Sequence, residues 1–409
     1  MILYQILMGL ALPFFLAHAF WQGGAQALRE RLGICLPTAM GQTLWLHGAS
    51  VGELTSARWV IHELIAKRPG LSIFVTANSV TGRDMVGDWN MPGVRAALAP
   101  LDGFGAAGRL LDRLRPQALI IVENELWPAR IAAAHRRGVQ VLVIGARLSE
   151  RSFARWGRFP LLIGGVLAQI DWLSPQDDAS GVRLLALGLA AEALGPTVTL
   201  KALVVASTGV APFLSPAPRT ATLLAASTHD SEEPGIVRAF ARARAQGGPR
   251  VLILAPRHPQ RGGAIATMIA AQGLSLAQWS KAEVPGPQTQ VFLADTLGEM
   301  PSWYAMAGIC LIGGSFANRG GHTPFEPASY DCALIHGPSV HNFAPQFSAL
   351  DHGGGALALG DLDELPDILK KLDVTAQLAL CGAARPLLAQ FSAGAQDIIL
   401  RLLMALPSA

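Results

Sequence analysis

Residues 43–77 have the sequence TLWLHGASVGELTSARWVIHELIAKRPGLSIFVTA, in which two short apolar runs flank a longer amphipathic stretch. Within that stretch, Ala57, Ile61 and Leu64 recur at the spacing of one helix face. The pair Pro69-Gly70 predicts the end of this helix, because neither residue continues one well. The stretch therefore predicts a strand–helix–strand unit, from which parallel sheets are built.

The same alternation continues along the chain. In the first half, VRAALAP, ALIIVEN and VQVLVIGA each precede a polar or Gly-bearing turn. Between about 190 and 221 the pattern lapses into a segment rich in Pro, Thr and Ala. A second series then follows, with TLLAAST, VLILAP, QVFLAD, ICLIGGS and CALIHGP. A chain of 409 residues exceeds what one core usually organises. We therefore predict an α/β protein of two Rossmann-like, doubly wound domains facing across a cleft, with ligands at the carboxyl ends of the strands.

The amino terminus differs from the rest of the chain. The stretch MILYQILMGLALPFFLAHAFW contains no Lys, Arg, Asp or Glu, and its length suits a membrane-anchor helix. Arg29 and Arg31 follow it and favour a cytoplasmic location for the remainder. A cleaved signal peptide is an alternative, since Ala17-His18-Ala19 resembles a cleavage site, but a positively charged start is missing. A buried helix of a soluble protein is the second alternative. The predicted boundaries are 1–28 for the anchor, 29–195 for the first α/β domain, 196–221 for the linker and 222–409 for the second domain.

Composition limits the classes of partner. The formal net charge is only +3 and no long basic run occurs, so the sequence gives no electrostatic reason to expect nucleic-acid binding, while a small anionic ligand remains possible. Cysteines are few and scattered, without C-x-x-C spacing or nearby histidine pairs, which argues against a zinc site and against disulfides. They are Cys35, Cys310, Cys332 and Cys381.

The turn after the first predicted strand contains G-x-S-x-G, the pattern of a hydrolase nucleophile elbow, at residues 48–52. Only one predicted strand precedes Ser50, which leaves no room for the preceding strand and oxyanion loop of a hydrolase. We therefore expect Ser50 to cap the following helix and Glu53 to lie in its first turn. There the helix dipole would keep the carboxylate of Glu53 ionised as a general base for a sugar hydroxyl. A simple helix-terminal charge is the alternative for Glu53.

Seven blocks of sequence, taken together, resemble the 3-deoxy-D-manno-octulosonic acid (Kdo) transferase family of lipopolysaccharide synthesis. In chain order they are LHGASVGE, ENELWP, ARLSERS, ASTHDSEE, APRHPQR, DTLGEM and GGSFANRGGHTPFEPA. The resemblance implies a GT-B fold and an inverting, metal-independent transfer of Kdo from CMP-Kdo to the lipid A precursor. It further implies no cofactor, a location at the cytoplasmic face of the inner membrane, an acceptor-binding first domain and a CMP-sugar-binding second domain.

The resemblance also implies roles for individual residues. Glu53 corresponds to the proton acceptor, while Glu123 and Lys201 correspond to groups that support the transition state. Glu125 has two open interpretations, a structural carboxylate or a group that orients the acceptor. The implied CMP-binding residues are Pro256, Arg257, Leu297, Gly298, Glu299, Thr323, Pro324, Phe325 and Glu326.

Elementary chemistry supports part of this donor site. The guanidinium of Arg257 follows a predicted strand and suits a phosphate oxygen, and the carboxylate of Glu326 suits a ribose diol. Glycines in DTLGEM and in residues 313–321 would bring backbone N–H groups near the ligand. His229, His258 and His322 either contact the donor or are structural; none is predicted to bind a metal.

Two departures from the family pattern keep other functions open. Val198-Thr199-Leu200-Lys201 stands where the family usually has Gly-Asn/Ser-Leu-Lys, and Thr323 replaces the usual Asn. The alternatives are another GT-B nucleotide-sugar enzyme and a membrane-tethered relative without catalytic activity.

Overall fold

The computed structural model describes residues 2–34, 41–123, 125–203 and 211–407. It divides into two compact units, one formed by Met1–Leu203 with Phe391–Ala409 and the other by Val204–Gln390. Cys35 and residues 204–210 of the predicted linker lie outside the described residues. The other three cysteines are free thiols.

Unit 1 contains a six-stranded sheet in which every strand pair is parallel, with the strand order β3-β2-β1-β4-β5-β6. This order is that of a doubly wound dinucleotide-binding fold. The strands are β1 (Thr43–Gly48), β2 (Ser72–Ala77), β3 (Val94–Leu98), β4 (Ala118–Val122), β5 (Gln140–Ala146) and β6 (Trp172–Pro175). The helices are α1 (Ile2–Arg31), α2 (Val51–Lys67), α3 (Val80–Asp88), α4 (Ala106–Leu114), α5 (Pro128–His135), α6 (Glu150–Trp156), α7 (Pro160–Leu167) and α8 (Asp178–Ala186).

The apolar runs of the sequence form the strands because both faces of this sheet are covered. Every residue of β1 and β4 is buried. Alternate strand residues such as Leu46 and Trp45 belong to separate apolar clusters on the two faces. The predicted strands and the predicted helix after the G-x-S-x-G turn are confirmed, whereas β6 was not predicted.

Helix α1 packs along one side of unit 1. The hydroxyl of Tyr4 donates to Asp102 over 2.6 Å, and the buried carboxylate of Glu30 accepts the N–H of Leu98 over 2.7 Å. The helix breaks at Gly23-Gly24, where Gly24 has φ of 63° in a region that favours glycine. Large apolar side chains lie exposed on the other side, among them Phe14 and Trp21. The predicted apolar segment is therefore a helix, but the structure does not show it as a membrane anchor.

Among the residues that the structure describes, one continuous stretch, Val374–Met404, is long and apolar enough to cross a membrane by length and composition. It comprises α15 (Val374–Ala389), which belongs to unit 2, and α16 (Ala395–Met404), which belongs to unit 1.

The carboxyl-terminal helix α16 differs from the predicted domain boundary, which placed residues 222–409 together. Ile398, Ile399 and Leu402 are fully buried and join the same apolar cluster as Val198 and Leu200. The N–H of Thr199 donates to the carbonyl of Phe391 over 3.1 Å. Part of the predicted linker is thus packed into unit 1 together with the end of the chain.

Unit 2 contains a seven-stranded parallel sheet with the order β13-β12-β11-β7-β8-β10-β9. The strands are β7 (Thr222–Thr228), β8 (Val251–Pro256), β9 (Leu276–Gln278), β10 (Val291–Leu293), β11 (Ile309–Ile312), β12 (Ala333–His336) and β13 (Ala356–Ala358). Helices α9 (Glu233–Ala245), α10 (Gly262–Ala271), α11 (Met300–Met306), α12 (Phe325–Ser329), α13 (Ala344–His352), α14 (Leu365–Lys371) and α15 complete it. The five strands predicted in this half are confirmed, while the short strands β9 and β13 were not predicted.

Candidate active site

The turn that follows β1 is held by reciprocal hydrogen bonds at the start of α2. Ser50 is the residue before the helix, and its hydroxyl oxygen accepts the N–H of Glu53 over 3.3 Å. In return, the carboxylate of Glu53 accepts the N–H of Ala49 over 2.7 Å and the hydroxyl proton of Ser50 over 3.1 Å. The arrangement differs from a standard capping box in that Glu53 accepts the N–H of Ala49, one residue before the N-cap Ser50, but it likewise satisfies backbone donors near the helix start. The prediction that Ser50 caps α2 is confirmed.

The ionisation of Glu53 differs from the expectation. Burial raises its pKa to about 7, and the nearby charges of Glu123 and Glu125 act in the same direction. The Ala49 N–H and the Ser50 hydroxyl lower the pKa but do not cancel these effects. Desolvation therefore outweighs the helix-start position that was expected to keep this carboxylate fully ionised. A base with a pKa near neutral pH is well matched to accepting a proton from a hydroxyl group.

Glu123 follows directly after β4, the neighbour of β1 in the sheet, and so lies at the same edge. Its φ of 58° is in the left-handed region, and its N–H donates to the Ile144 carbonyl over 3.0 Å. Its Oε1 lies 3.3 Å from Nζ of Lys201. Lys201 is held in a short turn, Leu200–Leu203, whose first and last side chains are buried. The structure thus brings together Glu53, Glu123 and Lys201, the three predicted catalytic residues. Glu123 and Lys201 form an ion pair, and the charge of Glu123 contributes to the raised pKa of Glu53.

Glu125 is surrounded by hydrogen-bond donors. Its Oε2 accepts from Asn78 Nδ2 over 2.9 Å, from Trp127 Nε1, and from His47 Nε2 over 3.4 Å. Burial opposes ionisation, but these bonds outweigh it and hold the pKa of Glu125 at about 2. Burial and the charge of Arg130 lower the pKa of His47 to about 4, so this imidazole is neutral at pH 7. Glu125 is therefore a fixed, ionised structural carboxylate, and a role in orienting an acceptor stays a hypothesis.

In unit 2, cationic groups gather at the ends of β7 and β8. Pro256 ends β8, and the N–H of the next residue, Arg257, donates to the Thr228 carbonyl over 2.9 Å. Burial and the charges of Arg319, His258 and Arg257 lower the pKa of His229. These groups can bind an anion such as a phosphate.

His229 and His322 form a stacked pair within this cluster. Their Nε2 atoms lie 3.2 Å apart and their ring planes differ by 3°. Burial, with the charges of His229 and Arg257, lowers the pKa of His322 to about 4. The Nε2 atom of one imidazole therefore donates a hydrogen bond to that of the other. Either ring must break this hydrogen bond in order to turn toward a ligand.

The loop after β11 is tied to a buried carboxylate. Glu232, which is 1% exposed, accepts the N–H groups of His229 over 2.9 Å, Gly314 over 2.6 Å and Phe316 over 3.2 Å. Gly320 N–H donates to the Ser339 hydroxyl, and Gly321 N–H donates to the Gly314 carbonyl. The expectation that glycines of residues 313–321 offer these N–H groups to a ligand is therefore wrong, because the protein itself satisfies them.

The predicted residues Leu297, Gly298 and Glu299 lie in the turn before α11. The carboxylate of Glu299 accepts from Trp279 Nε1 over 2.8 Å and 2.9 Å, and from the hydroxyl of Thr296. Leu297 is 72% exposed and Gly298 has φ of 93°. The side chain of Glu299 thus fixes the turn, and any contact with a nucleotide would come from the rest of the turn.

The predicted residues 323–326 form the start of α12. The hydroxyl oxygen of Thr323 accepts the N–H of Phe325 over 3.3 Å, and Pro324 is the residue before the helix. Tyr304 donates its hydroxyl proton to Oε2 of Glu326 over 3.4 Å. Thr323 therefore has a local structural role.

Several residues of these sites were missed by the sequence analysis. Glu232 and Arg319 lie within quoted blocks, which was the available signal, but neither was singled out. His47 and Asn78 contact Glu125 only because β1, β2 and β4 are neighbours in the sheet.

The two parallel-sheet α/β units, one with a carboxylate and lysine cluster and one with an arginine and histidine cluster, resemble those of GT-B proteins in their fold. Two solved structures share the fold over most of the chain. UDP-GlcNAc 2-epimerase from Neisseria meningitidis has a TM-score of 0.61 at 12% identity, over 89% of this chain and 99% of that one. MurG from Acinetobacter baumannii has a TM-score of 0.50 at 14% identity, over 89% and 99%.

Sequence comparison gives the family. Residues 26–204 match the family model described as 3-deoxy-D-manno-octulosonic-acid transferase (kdotransferase). A 3-deoxy-D-manno-octulosonic acid transferase from Bordetella pertussis is 33% identical over 88% of this chain and 84% of its own length. The same-named protein from Haemophilus influenzae is 31% identical, over 81% and 79%. The chain belongs to the 3-deoxy-D-manno-octulosonic acid transferase family and is a glycosyltransferase.

Proposed function

We propose that this family member is an inverting, metal-independent enzyme that transfers Kdo from CMP-Kdo to the lipid A precursor at the cytoplasmic face of the inner membrane. The observation that carries the proposal is Glu53, a half-buried carboxylate with a pKa of about 7 that is coupled electrostatically to Glu123. The Glu123–Lys201 ion pair lies at the same edge of the sheet.

In the proposed reaction, Glu53 accepts the proton of the attacking acceptor hydroxyl. The acceptor oxygen forms a bond to the anomeric carbon of Kdo as the bond from that carbon to the CMP phosphate oxygen breaks. The electron pair of the broken bond leaves with the phosphate. Glu123 and Lys201 stabilise the charge that changes in the transition state, and attack from the face opposite the phosphate inverts the anomeric centre.

The proposed donor site is the cationic cluster of unit 2. Arg257 and Arg319 supply guanidinium groups for the CMP phosphate, and Glu326 accepts hydrogen bonds from the ribose. The turn of residues 297–299 forms a second wall of this site, and the carboxylate of Glu299 holds the turn in place. An anionic nucleotide is supported by the positive charge at this site: besides burial, the charge of Arg257 lowers the pKa values of both His229 and His322, and the charge of Arg319 lowers that of His229.

The membrane location is supported by the exposed side of α1. Leu10, Phe14, Phe20 and Trp21 are exposed on a helix whose other side is held by Tyr4. We propose that α1 lies in the membrane interface, with these side chains among the lipid chains. Flotation with vesicles of inner-membrane composition tests this, because replacing Phe14 and Trp21 by Ser should reduce the bound fraction of the full chain. Equal flotation of this variant and the unchanged protein would contradict it.

The reaction is tested by mass spectrometry of the product from CMP-Kdo and tetra-acylated lipid A precursor, with and without a chelator. Glu53→Gln should lower turnover by about 10²–10⁴-fold, the usual contribution of a general base. Glu63→Gln, a change on the same helix away from the strand ends, is the matched control and should keep full activity. Retained turnover of Glu53→Gln, or use of a UDP-sugar in place of CMP-Kdo, would reject the proposal. Loss of transfer in the presence of the chelator would reject metal independence.

A further inference from the structure

A cavity of about 210 Å³ lies within unit 1 beneath α1. Met8, Phe15 and Ala19 of α1 form the apolar part of its wall, next to His18 and Gln22 of the same helix. The polar part of the wall contains Arg31, Asp102 and Arg130. A cavity whose wall combines apolar side chains with guanidinium groups suits an amphiphilic ligand whose polar end accepts hydrogen bonds.

Arg130 is the most unusual residue of this cavity. Its side chain is 2% exposed, and its Nη2 donates to the Pro100 carbonyl over 3.1 Å. Its Nε and Nη1 have no hydrogen-bond partner among the described residues. The guanidinium carbon lies 5.8 Å from the centre of the Trp45 ring, which gives a cation–π contact but no acceptor atom. Buried donors are nearly always paired, so these two nitrogens indicate a missing acceptor.

Arg31 adds a second cation to the same wall. It donates from Nη1 to the Ala99 carbonyl over 3.0 Å and from Nη2 to the Asn78 carbonyl. Burial and then the charge of Arg130 lower the pKa of Arg31 to about 10, while the charge of Glu30 acts in the opposite direction. Within the described part of the chain, neither arginine forms an ion pair with a carboxylate.

The carboxylates near these arginines are engaged elsewhere. Asp102 accepts from the Tyr4 hydroxyl over 2.6 Å and from the backbone N–H groups of Ala129 over 2.9 Å and Arg130 over 2.6 Å. It therefore caps α5 instead of pairing with a guanidinium. The charges of Asp102 and Glu125 favour the charged form of Arg130, but Asp102 is engaged by backbone N–H groups and Glu125 by Asn78 and Trp127. A buried guanidinium beside a half-buried one, with neither in an ion pair, is unfavourable unless a ligand supplies an anion.

We infer that this cavity binds a phosphate group of an acylated ligand, with Arg130 and Arg31 at the phosphate and the apolar wall of α1 along an acyl chain. Asn78 and Trp127 line the cavity and also donate to Glu125. The cavity thus shares two of its lining residues with the surroundings of Glu125. On the proposed function, on which this step rests, the ligand is the acceptor glycolipid.

A change of Arg130 to Met separates a ligand role from a structural one. Met keeps an unbranched side chain of similar length and removes the buried charge with its two unpaired nitrogens. A charge that serves the ligand and not the fold can be removed without loss of stability, so the unfolding midpoint should stay the same or rise. Arg219→Met is the matched control, since Arg219 is also largely buried in unit 2 and its Nε lacks a partner among the described residues.

The first experiment measures binding without relying on catalysis. Calorimetry compares dihexanoyl phosphatidic acid with uncharged dihexanoylglycerol, using the full chain in each case. The unchanged protein and Arg219→Met should bind the phosphate-bearing lipid at least about tenfold more tightly, which is one charge-assisted contact. Arg130→Met should bind both lipids equally. A preference that survives in Arg130→Met, or no preference in the unchanged protein, would overturn the inference.

The second experiment identifies the acceptor as the ligand. KM and kcat are measured with the tetra-acylated precursor and with its dephosphorylated form. The KM ratio of the two acceptors should be at least about tenfold for the unchanged protein and near one for Arg130→Met, with kcat changed less than threefold. If Arg130→Met changes KM equally for both acceptors, Arg130 has only a positioning role and the inference is overturned. The inference is also overturned if anionic phospholipid vesicles activate the protein while the KM ratio of the two acceptors stays the same in Arg130→Met. If the unchanged protein transfers no Kdo, the proposed function fails, and the binding experiment still decides whether the cavity takes a phosphate.

Discussion

Lys201 Nζ lies 3.3 Å from Glu123 Oε1, with 28% and 15% of the two side chains exposed. The pair joins the end of a central strand to a turn that lies far along the chain. Because both groups are largely removed from water, their interaction is stronger than that of a surface ion pair. The two residues should therefore act as one unit, and removing either should have nearly the effect of removing both.

Single and double variants of this pair test their joint role. Glu123→Gln and Lys201→Met should each lower kcat about 100-fold, the usual cost of losing one preorganised charge. The double variant should be less than tenfold slower than the worse single variant, since groups that act as a unit are strongly non-additive. Steady-state kinetics with both substrates saturating measure this. If the fold-reductions in kcat of the two single variants multiply in the double variant, the two residues act independently.

The pH dependence of turnover should report Glu53. A general base is active when deprotonated, so kcat/KM should rise with pH and reach half its plateau at about pH 7, where Glu53 loses its proton. The charge of Glu123 contributes to the raised pKa. Glu123→Gln should therefore shift the midpoint to lower pH in addition to slowing the reaction. An identical midpoint in that variant would show that the profile reports another group.

The raised pKa of Glu53 should also make the stability of the protein depend on pH. The folded pKa of Glu53 is about 7, against an ordinary value of 4.5, so the unfolded chain loses this proton first as the pH rises. The stability contributed by the protonated form is complete below pH 4.5 and is lost as the pH rises through 7. Glu53→Gln cannot ionise. Its free energy of unfolding relative to the unchanged protein should rise by about 1–2 kcal/mol between pH 4.5 and 7.5, after allowance for partial exposure.

Urea unfolding at several pH values measures this difference. Glu63→Gln serves again as the control and should show no such trend. A stability difference for Glu53→Gln that is constant with pH would mean that Glu53 ionises normally in the folded protein.

The strands could be predicted well because fully buried parallel strands are continuous apolar runs. These strands end at Gly48, Val122 and Pro256, and the site residues follow directly after them. β6 was missed because its sequence, WLSP, has only two apolar residues before Ser174 and Pro175 and so forms no continuous apolar run. The membership of α16 in unit 1 could not be predicted either. Its apolar face is visible in the sequence, but which core receives that face depends on contacts with Val198 and Leu200.

The chemistry of the site was harder to predict than its location. The helix-start position of Glu53 suggested an ionised carboxylate, but its pKa depends on burial and on neighbours from another strand. Likewise, the glycines before Gly321 suggested free backbone donors, whereas Glu232 already accepts two of the N–H groups of this loop. Both differences come from tertiary contacts that spacing along the chain does not encode.

Arg257 tests the proposed phosphate contact. Arg257→Lys keeps the charge but removes the planar pair of donors that suits a phosphate. The KM for CMP-Kdo and the Kd for CMP should each rise about tenfold, with kcat changed less. Arg250→Lys is the matched control, because Arg250 precedes the opposite end of the same strand. An equal effect of both changes would indicate a general charge effect and not a specific contact.

Glu232 tests whether the loop after β11 must be held in place for donor binding. Replacing it by Gln places an amide nitrogen near backbone N–H groups that now bond to carboxylate oxygens of Glu232. A buried donor left without its acceptor costs about 1–3 kcal/mol, so Glu232→Gln should lose about 2–4 kcal/mol of stability and bind CMP at least tenfold more weakly. Its neighbour Glu233 is equally buried, accepts the hydroxyl proton of Thr228 and pairs with Arg261 over 2.9 Å. Among the described residues, no hydrogen bond or ion pair joins Glu233 to the loop after β11. Glu233→Gln should therefore lose stability while keeping CMP affinity. If both variants lose CMP affinity in proportion to their loss of stability, Glu232 supports the fold of unit 2 in general and does not position the loop.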